Sequence, residues 1–365
     1  MSAGVSNQGA RGRRFGVGDA PAAYLLGAGV VAAAILGLVI GAADVTLGQI
    51  AAVIGAKLGV TASPGAQVEV IVWSIRLPRV LMGVCVGAGL ALCGAALQGM
   101  FRNPLADPGL IGVSSGAAAG AATAVVAGWA LESLFGWMQL GWIPQSLLLP
   151  AAAFVGGLAA TLVVYRIATN NGRTSVATML LAGIAVNAAA GSIIGLLTYA
   201  ADEAELRSLT LWTLGSLGSA DWAQLAVCAS CLGVAGWMLV RRADEFDALL
   251  LGEHEARDLG VDVAELERRI VVISAVVVGA SVAFTGLIGF VGLVAPHIVR
   301  LWRGPSHRHV LGLSMLLGAL LLVCADTVSR TVVAPAELPI GIVTSLVGAP
   351  FFLYLLVRRR SEYYL

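Results

Sequence analysis

The sequence predicts an all-α protein that crosses a membrane ten times. Of its 365 residues, 58% are hydrophobic and only 12% are charged, whereas soluble domains carry about a quarter charged residues. The hydrophobic residues form runs of roughly 20, the length that a helix needs to cross the hydrocarbon core of a bilayer. Charged or proline-rich segments separate these runs. One polytopic domain is therefore expected over residues 21-360, after a cytoplasmic tail over residues 1-20.

Nine of the hydrophobic runs are long and one is short. In chain order, the predicted spans are 22-42, 76-101, 109-128, 146-168, 174-199, 222-240, 269-286, a short 293-302, 308-330 and 338-357. Small residues recur at four-residue spacing, as at Gly83 and Gly87 and at Gly112, Gly116 and Gly120. Such ridges let helices approach closely in lipid, so we interpret them as packing positions.

The first run also has features of a secretory signal peptide. The segment from Arg11 to Phe15 precedes it, and Gly41, Ala42 and Ala43 offer small residues for cleavage. The run is longer than the apolar part of a usual signal peptide, however, and its removal would leave an odd number of spans. We therefore expect the first helix to be retained.

The distribution of cations predicts the orientation, because Lys and Arg near span ends are retained on the cytoplasmic side. With both termini inside, 17 of the 22 cations lie inside, namely Arg11, Arg13, Arg14, Arg102, Arg166, Arg173, Arg241, Arg242, Arg257, Arg268, Arg269, Arg300, Arg303, Arg308 and Arg358 to Arg360. The five outer cations are Lys57, Arg76, Arg79, Arg207 and Arg330. An even number of spans agrees with this orientation.

Composition and motifs exclude several classes of function. A net charge of +1 with a single lysine gives no basic surface for nucleic acid. The sequence contains no G-x-x-x-x-G-K-[ST] phosphate loop, so any ATP that drives the protein is bound, with its magnesium, by another chain. Cys228 and Cys231 form a C-x-x-C on an apolar helix without a second pair, which indicates packing rather than a metal site.

A proton- or sodium-driven secondary transporter is the alternative from another class. It would need acids or histidines near the middle of the bilayer, and the one acid inside the spans is Asp326, near the outer end of the ninth. The four histidines, His254, His297, His307 and His309, fall on or near the cytoplasmic side. A membrane enzyme is the third possibility, and it lacks a catalytic or metal-binding set of residues.

Long motifs carry a family resemblance over about residues 20 to 360. They are RLPR at 76-79, GAGLALCG at 87-94, QGMFRNPLADPG at 98-109, IGVSSG at 111-116, LGE at 251-253, GLIGFVGLVAPHIVR at 286-300, AELPIG at 336-341 and GAP at 348-350. In these motifs the chain resembles the permease of cobalamin, ferric-siderophore and haem ABC importers. The resemblance implies the type II ABC importer permease fold and an inner-membrane location. It also implies a homodimer around a central path, two cytoplasmic ATPase subunits and a periplasmic substrate-binding protein.

The inner turn after the second span is the first candidate site. Pro104 and Pro108 forbid a continuous helix, and broken backbone at membrane depth needs partners from protein or a water-filled path. The resemblance implies that the cytoplasmic gate includes Asn103, Leu105, Val176 and Ala177. Val176 and Ala177 are apolar where the family can carry hydroxyls, which suits an apolar cargo. A purely structural role for all four residues is the alternative.

The longest inner loop, residues 241-269, is the second candidate site. It is too polar to cross the membrane and is predicted to form a short helix that a glycine ends. The resemblance implies a coupling helix that sits in a groove of the ATPase, with the residues Gly252, Glu253, Ala256, Leu259 and Gly260. A solvated amphipathic loop without a partner is the alternative.

The scarce outer cations are the third candidate site. Arg76 and Arg79 begin the second span and Arg330 ends the ninth, so the three are predicted at matching depths. The resemblance implies that they meet glutamates of the substrate-binding protein, and guanidinium pairs well with carboxylate. The alternative is that they anchor span ends at the lipid head groups.

The cargo is predicted to be haem. Residues 172-175, Asn187 and residues 206-218 look most like the haem branch of the family, although siderophore permeases share much of this pattern. A ferric siderophore or cobalamin is the alternative cargo. No cofactor is expected on the chain itself, because transport needs no chemistry on the substrate: closure of the ATPase subunits moves the coupling helices and alternates the open side of the path.

Overall fold

The computed structural model describes residues 20-41, 43-128, 147-170 and 173-363. The helices are α1 (Ala20–Val39), α2 (Leu47–Lys57), α3 (Ala66–Glu69), α4 (Leu77–Met100), α5 (Val113–Val126), α6 (Leu148–Ala168), α7 (Val176–Ala200), α8 (Glu203–Thr213), α9 (Trp222–Val240), α10 (Ala243–Leu251), α11 (Glu253–Asp258), α12 (Val263–Thr285), α13 (Val291–Arg303), α14 (His307–Thr331) and α15 (Ile340–Tyr363). Strands β1 (Thr169–Asn170) and β2 (Arg173–Thr174) form a small antiparallel hairpin. The predicted tail, apart from Ala20, and the Arg11 to Phe15 segment lie outside the described residues.

The all-α polytopic class is confirmed, since each of the ten predicted spans contains a helix. Seven of the described helical segments are long and apolar enough to cross a membrane: α1, α3 to α4, α6, α7, α9, α12 and α14. The other three predicted spans correspond to the shorter helices α5 and α13 and to α15, of which the apolar part is Ile340–Leu355. The second span begins at Ala66 rather than at residue 76, because a π-helical segment, Val70–Arg76, joins α3 to α4.

Helices α2 and α8 lie between predicted spans, in segments where no helix was predicted. Helix α2 begins with a capping box, in which the Thr46 hydroxyl accepts from the Gln49 N–H at 3.2 Å and the Gln49 side chain accepts from the Thr46 N–H. Helix α8, in the outer segment, begins with the same arrangement between Asp202 and Glu205. These paired caps satisfy the free N–H groups of a helix start, so these two short segments become helical.

Helix α4 lies at the centre of the bundle and packs on α14 through glycines. A Cβ atom added to Gly87 would lie 2.4 Å from the carbonyl oxygen of Gly318. A Cβ atom added to Gly116, on α5, would lie 2.4 Å from the carbonyl oxygen of Gly156 on α6. Backbones this close leave no room for any side chain, so the prediction that these small residues are packing positions is confirmed.

Candidate functional site

The turn between α4 and α5 contains two of the predicted gate residues. Helix α4 ends at Met100, and the chain resumes as a 3₁₀ turn at Pro108. The Oδ1 atom of Asn103 accepts a hydrogen bond from the backbone N–H of Leu105 at 3.0 Å and so closes the turn. Asn103 is exposed and Leu105 is half-buried. The predicted interruption of the helix at this point is confirmed.

Helix α7 packs directly on this turn. The side-chain amide of Asn187 donates to the carbonyl of Gly109 at 3.2 Å, and its Oδ1 atom accepts from the hydroxyl of Ser115. A Cβ atom added to Gly183 would lie 1.9 Å from the carbonyl oxygen of Leu110. Glycine at this position therefore lets α7 approach the turn, and Asn187 satisfies a carbonyl that the broken backbone leaves free.

The other two predicted gate residues open α7. Ser175 caps the helix, since its hydroxyl accepts from the backbone N–H of Thr178 at 3.2 Å. Val176 packs against the main hydrophobic core and Ala177 is exposed. The structure thus brings together the two elements that carry the four residues. Their role as a gate stays a prediction.

The segment between α9 and α12 forms two helices, α10 and α11, instead of the single short helix predicted. Gly252, with φ +129°, separates them, and Gly260, with φ +85°, ends the second. Positive φ favours glycine, so these two positions fix the shape of the segment. Helix α11 begins at Glu253, and Leu259 at its end is 64% exposed.

Ala256, at the centre of α11, points into the protein. Its side chain is fully buried and belongs to the main hydrophobic core. Ala256 therefore holds α11 against its own chain, and its part in the contact with the ATPase stays a prediction. The apolar side chains that the segment presents outward are Leu250, Leu251 and Leu259.

A charge cluster joins the gate turn to α11. Arg102, in the turn, lies 3.8 Å from Glu253, and Glu253 pairs with Arg257 at 2.9 Å. Glu267, 3% exposed on α12, lies close enough to all three for their charges to act on it. Arg102 adopts φ +48°, which is uncommon for a residue with a side chain. The turn and the predicted coupling helix are thus linked electrostatically.

Helix α10 is anchored to the start of α14. The carboxylate of Asp247 accepts from the hydroxyl of Ser306 at 2.7 Å and from the backbone N–H of His307 at 2.6 Å. Partial burial raises the pKa of Asp247, but the hydrogen bonds from His307 and Ser306 outweigh it, so the net shift of this pKa is downward. His307 also stacks on Phe246 with ring centroids 5.1 Å apart. Movement of α10 therefore reaches α14 directly.

The three outer arginines are buried in the described structure, and their role in docking the binding protein stays a prediction. Arg76, Arg79 and Arg330 are 5%, 6% and 8% exposed. Nε of Arg79 donates to Asp326 Oδ1 at 2.9 Å, and Nε of Arg330 donates to Asp326 Oδ2 at 3.0 Å. Asp326 therefore bridges two guanidinium groups. Glu337, with a side chain 47% exposed, pairs with Arg79 at 3.0 Å from the outer side.

These arginines also cap the end of α1. Arg76 donates to the carbonyls of Leu38 and Val39 at 2.6 and 2.9 Å, and Arg330 donates to those of Gly37 and Ile40 at 2.9 and 3.0 Å. The last carbonyls of a helix lack partners within it and carry partial negative charge. The three guanidinium groups therefore have hydrogen-bond or ion-pair partners within the chain, and Asp326 is an ion-pair partner rather than a free acid.

Three non-helical segments meet beside α15. The N–H of Ile340 donates to the carbonyl of Gly215 at 3.1 Å, and the N–H of Ser216 donates to that of Thr285 at 2.7 Å. Next to this crossing lies an open groove of about 680 Å³. Its lining is mostly apolar, with hydroxyl groups from Thr213 and Ser345. Two of its lining residues, Thr213 and Leu214, come from the segment 206-218 that carried the resemblance to haem permeases.

Sequence reasoning missed several residues that connect these sites. Glu337 lies within the AELPIG motif, so a signal for it existed, although its partner Arg79 is 258 residues away. Arg102 likewise lies within the QGMFRNPLADPG motif, whereas Asp247 gave no sequence signal, because its partners are brought close only by the fold. Within the described residues, no group of three His, Cys, Asp or Glu side chains is arranged to hold a metal ion.

A polytopic helix bundle with broken, internally satisfied backbone at membrane depth is the architecture of a membrane transport permease. The chain belongs to the FecCD transport family, whose sequence model matches residues 29-358. This family membership confirms the resemblance to the permease subunits of cobalamin, ferric-siderophore and haem ABC importers.

Individual relatives agree with this assignment. The hemin transport system permease protein HmuU of Yersinia pestis is 44% identical over 292 residues, which cover 80% of this chain and 84% of that protein. The cobalamin import system permease protein BtuC of Halobacterium salinarum is 45% identical over 288 residues, 79% of this chain and 73% of that protein. A solved metal-chelate type ABC transporter in an inward-facing conformation matches 93% of this chain and 99% of its own, with a TM-score of 0.79 and 30% identity.

Proposed function

We propose that this chain is the membrane-spanning subunit of an ABC importer that moves haem across the inner membrane. The observation that carries the proposal is the similarity to the hemin permease of Yersinia pestis, 44% identical over 80% of this chain. The open apolar groove beside α15 supports it, because an apolar wall lets a large apolar cargo pass without trapping it.

Cobalamin is the second candidate cargo, since the cobalamin permease of Halobacterium salinarum is 45% identical over 79% of this chain. A ferric siderophore is the third, in keeping with the similarity to a solved metal-chelate type ABC transporter. All three cargoes would use the same assembly and differ only in what the wall of the path contacts.

The proposed assembly has two copies of this chain, two cytoplasmic ATPase subunits and a periplasmic substrate-binding protein. Both termini lie in the cytoplasm, so that α10 and α11 face the ATPase and Glu337 faces the periplasm. The sequence lacks a phosphate loop, so the ATPase subunits bind ATP and magnesium. Leu250, Leu251 and Leu259 are exposed on the cytoplasmic segment and would provide the apolar part of the ATPase contact.

Coupling would run from the ATPase to the gate through the contacts of α10 and α11. Displacement of α11 would pull on the turn through the Glu253 and Arg102 pair. Displacement of α10 would act on α14 through Asp247. The turn carries Asn103 and Leu105, and α7, which begins with Val176 and Ala177, packs on it, so these four residues would move relative to the partner copy and open the inner side.

The test is uptake into vesicles that contain the permease, its ATPase and its binding protein. Haem, a ferric siderophore and cobalamin are compared at equal concentration, with and without ATP. We expect ATP-dependent uptake of haem and background levels of the other two. Uptake of cobalamin but not of haem would identify cobalamin as the cargo. Uptake driven by an ion gradient without ATP would contradict the proposal that the protein belongs to an ABC importer.

A further inference from the structure

Two adjoining cavities lie at the arginine-rich end of α9. The first, of about 360 Å³, is lined by Trp237, Met238, Arg241, Arg242, Glu245 and Arg269. It is placed at the junction of α9, α10 and α12. The expected orientation puts this junction at the cytoplasmic face of the membrane, where lipid head groups lie.

The charge in this pocket is positive, and one cation in it is uncompensated. Arg242 pairs with Glu245 at 2.9 Å, and Arg269 pairs with Glu265. Arg241 has no carboxylate partner among the described residues, and its guanidinium lies 5.0 Å from the ring centroid of Trp237. Tryptophan and arginine together are typical of the membrane interface, where the ring lies among head groups and the cation faces phosphate.

The second cavity is an apolar groove of about 630 Å³ that shares Trp237 and Arg241 with the first. It runs along α9 as far as Ala229, a length of about 18 Å at the helical rise per residue. That is close to half of a hydrocarbon core about 30 Å thick. Its other walls come from Cys85 of α4 and Met315 of α14.

Glycines make the groove deep. A Cβ atom added to Gly233 would meet no atom within 4 Å, so this position is open space. A Cβ atom added to Gly236 would lie 3.4 Å from the terminal methyl carbon of Met315 at the wall. A larger side chain at position 233 would therefore fill the groove without disturbing the packing of α9.

We propose that these two cavities form one binding site for an anionic phospholipid, with its phosphate at Arg241 and one acyl chain in the groove along α9. Charge and shape select this occupant: the pocket supplies cations where the head group lies, and the groove is apolar over the depth that one leaflet occupies. A zwitterionic lipid could place an acyl chain in the groove, but it lacks the net negative charge that the pocket attracts. A free phosphate has the charge, but it has no acyl chain to fill the groove. The site is independent of which cargo the protein carries.

The test uses the full chain, purified in a mild detergent and examined by native mass spectrometry with added lipid. Phosphatidylglycerol and phosphatidylcholine with the same acyl chains are compared. We expect preferential retention of phosphatidylglycerol. Replacing Arg241 with glutamine should weaken its retention about fivefold, in line with the attraction of one arginine to an anionic surface. The matched control is Arg303→Gln, because Arg303 also lies over a tryptophan, Trp302, at 5.7 Å, yet lines neither cavity.

A second pair of variants tests the groove. Gly233→Leu should weaken retention of either lipid on the order of tenfold, because the leucine would exclude roughly two methylene groups of the acyl chain from the groove. Gly27→Leu, on α1, is the control, since a Cβ atom there likewise meets nothing within 4 Å. Soluble glycerol phosphate should not displace the lipid, and displacement at equal concentration would show that the groove contributes nothing.

Three results would overturn the site. The first is equal retention of the two lipids, and the second is unchanged retention in both Arg241→Gln and Gly233→Leu. The third is equal weakening in the control variants, which would show that lipid binds through general charge or surface. Thermal unfolding of each variant in detergent separates these results from misfolding, because Gln and Leu at these exposed positions should leave the unfolding temperature unchanged.

Discussion

The carboxylate of Asp326 lies between the guanidinium groups of Arg79 and Arg330, and all three are buried. Removing one partner of a buried ion pair leaves an uncompensated charge at a cost of about 3 to 5 kcal/mol. We therefore expect Asp326→Asn to lower the free energy of unfolding by about 3 kcal/mol, measured by denaturant titration in detergent. Glu337→Gln is the matched control within the same network, and because Glu337 is half-exposed its loss should cost less than about 1 kcal/mol. Similar losses in the two variants would contradict this account of the network.

Docking of a binding protein to the outer arginines stays a prediction, and the structure sharpens its test. A partner's carboxylate can reach Arg79 only by replacing Glu337, the exposed member of the network. If docking uses Arg79, Glu337→Gln should strengthen binding of the acidic partner and increase its salt dependence, because a competing negative charge is removed. Binding to the permease in lipid nanodiscs at low and high salt measures this.

Glu205→Gln is the control for that experiment. Glu205 is also an outer carboxylate, but its side chain accepts from the backbone N–H of Asp202 and not from an arginine. Stronger binding in both variants would show general repulsion by outer acids. Unchanged binding in Glu337→Gln would leave the three arginines with a structural role alone.

At the scale of the helices, the centre and the C-terminal end of α11 have opposite surroundings, and this predicts opposite phenotypes. Leu259 is exposed and Ala256 is fully buried. Leu259→Asp should leave the unfolding temperature unchanged but reduce co-purification of the ATPase, because it places a charge in the apolar part of the contact. Ala256→Arg should instead lower the yield and the unfolding temperature of the chain alone, because it buries an unpaired charge.

The control for Leu259→Asp is Leu58→Asp. Leu58 is 74% exposed and follows α2, which the predicted orientation places on the other side of the membrane. Loss of the ATPase in Leu58→Asp as well would show that a charge on any exposed leucine is harmful. An intact ATPase complex in Leu259→Asp would contradict the coupling assignment of α11.

Sequence predicted the spans because an apolar run of sufficient length has few alternatives in a membrane protein. It missed α2 and α8, since each has 11 residues and is shorter than the run that marks a membrane span. Side-chain direction could not be predicted. Arg79 pairs with residues 247 and 258 positions away, and a single sequence holds no information on such contacts. The burial of Ala256 was missed for the same reason, because its motif marks the segment and not the face.

For the whole molecule, alternating access requires that events at one membrane face reach the other. The described contacts give a continuous route on the inner side, from α10 to α14 through Asp247 and from α11 to the turn through Arg102. Helix α14 then carries Asp326 and Arg330 at its outer end, where they hold α1 and α4. A shift of α14 along its axis would thus change both faces, as a rigid element with two packed positions can.

The proposed homodimer gives the last prediction. Helix α7 carries Gly191 and Gly195 on an exposed face, and a Cβ atom added to either would meet no atom within 4 Å. Other glycines at four-residue spacing, such as Gly87 and Gly116, lie against a neighbouring backbone. A G-x-x-x-G without a neighbour among the described residues is therefore suited to close packing with a second copy. We expect Gly195→Leu to shift the purified protein from dimer toward monomer, measured by fluorescence transfer between labelled copies at increasing detergent concentration.

Gly27→Leu, at an equally open glycine of α1, should leave the dimer fraction unchanged. An unchanged dimer fraction in Gly195→Leu would move the interface away from this face of α7.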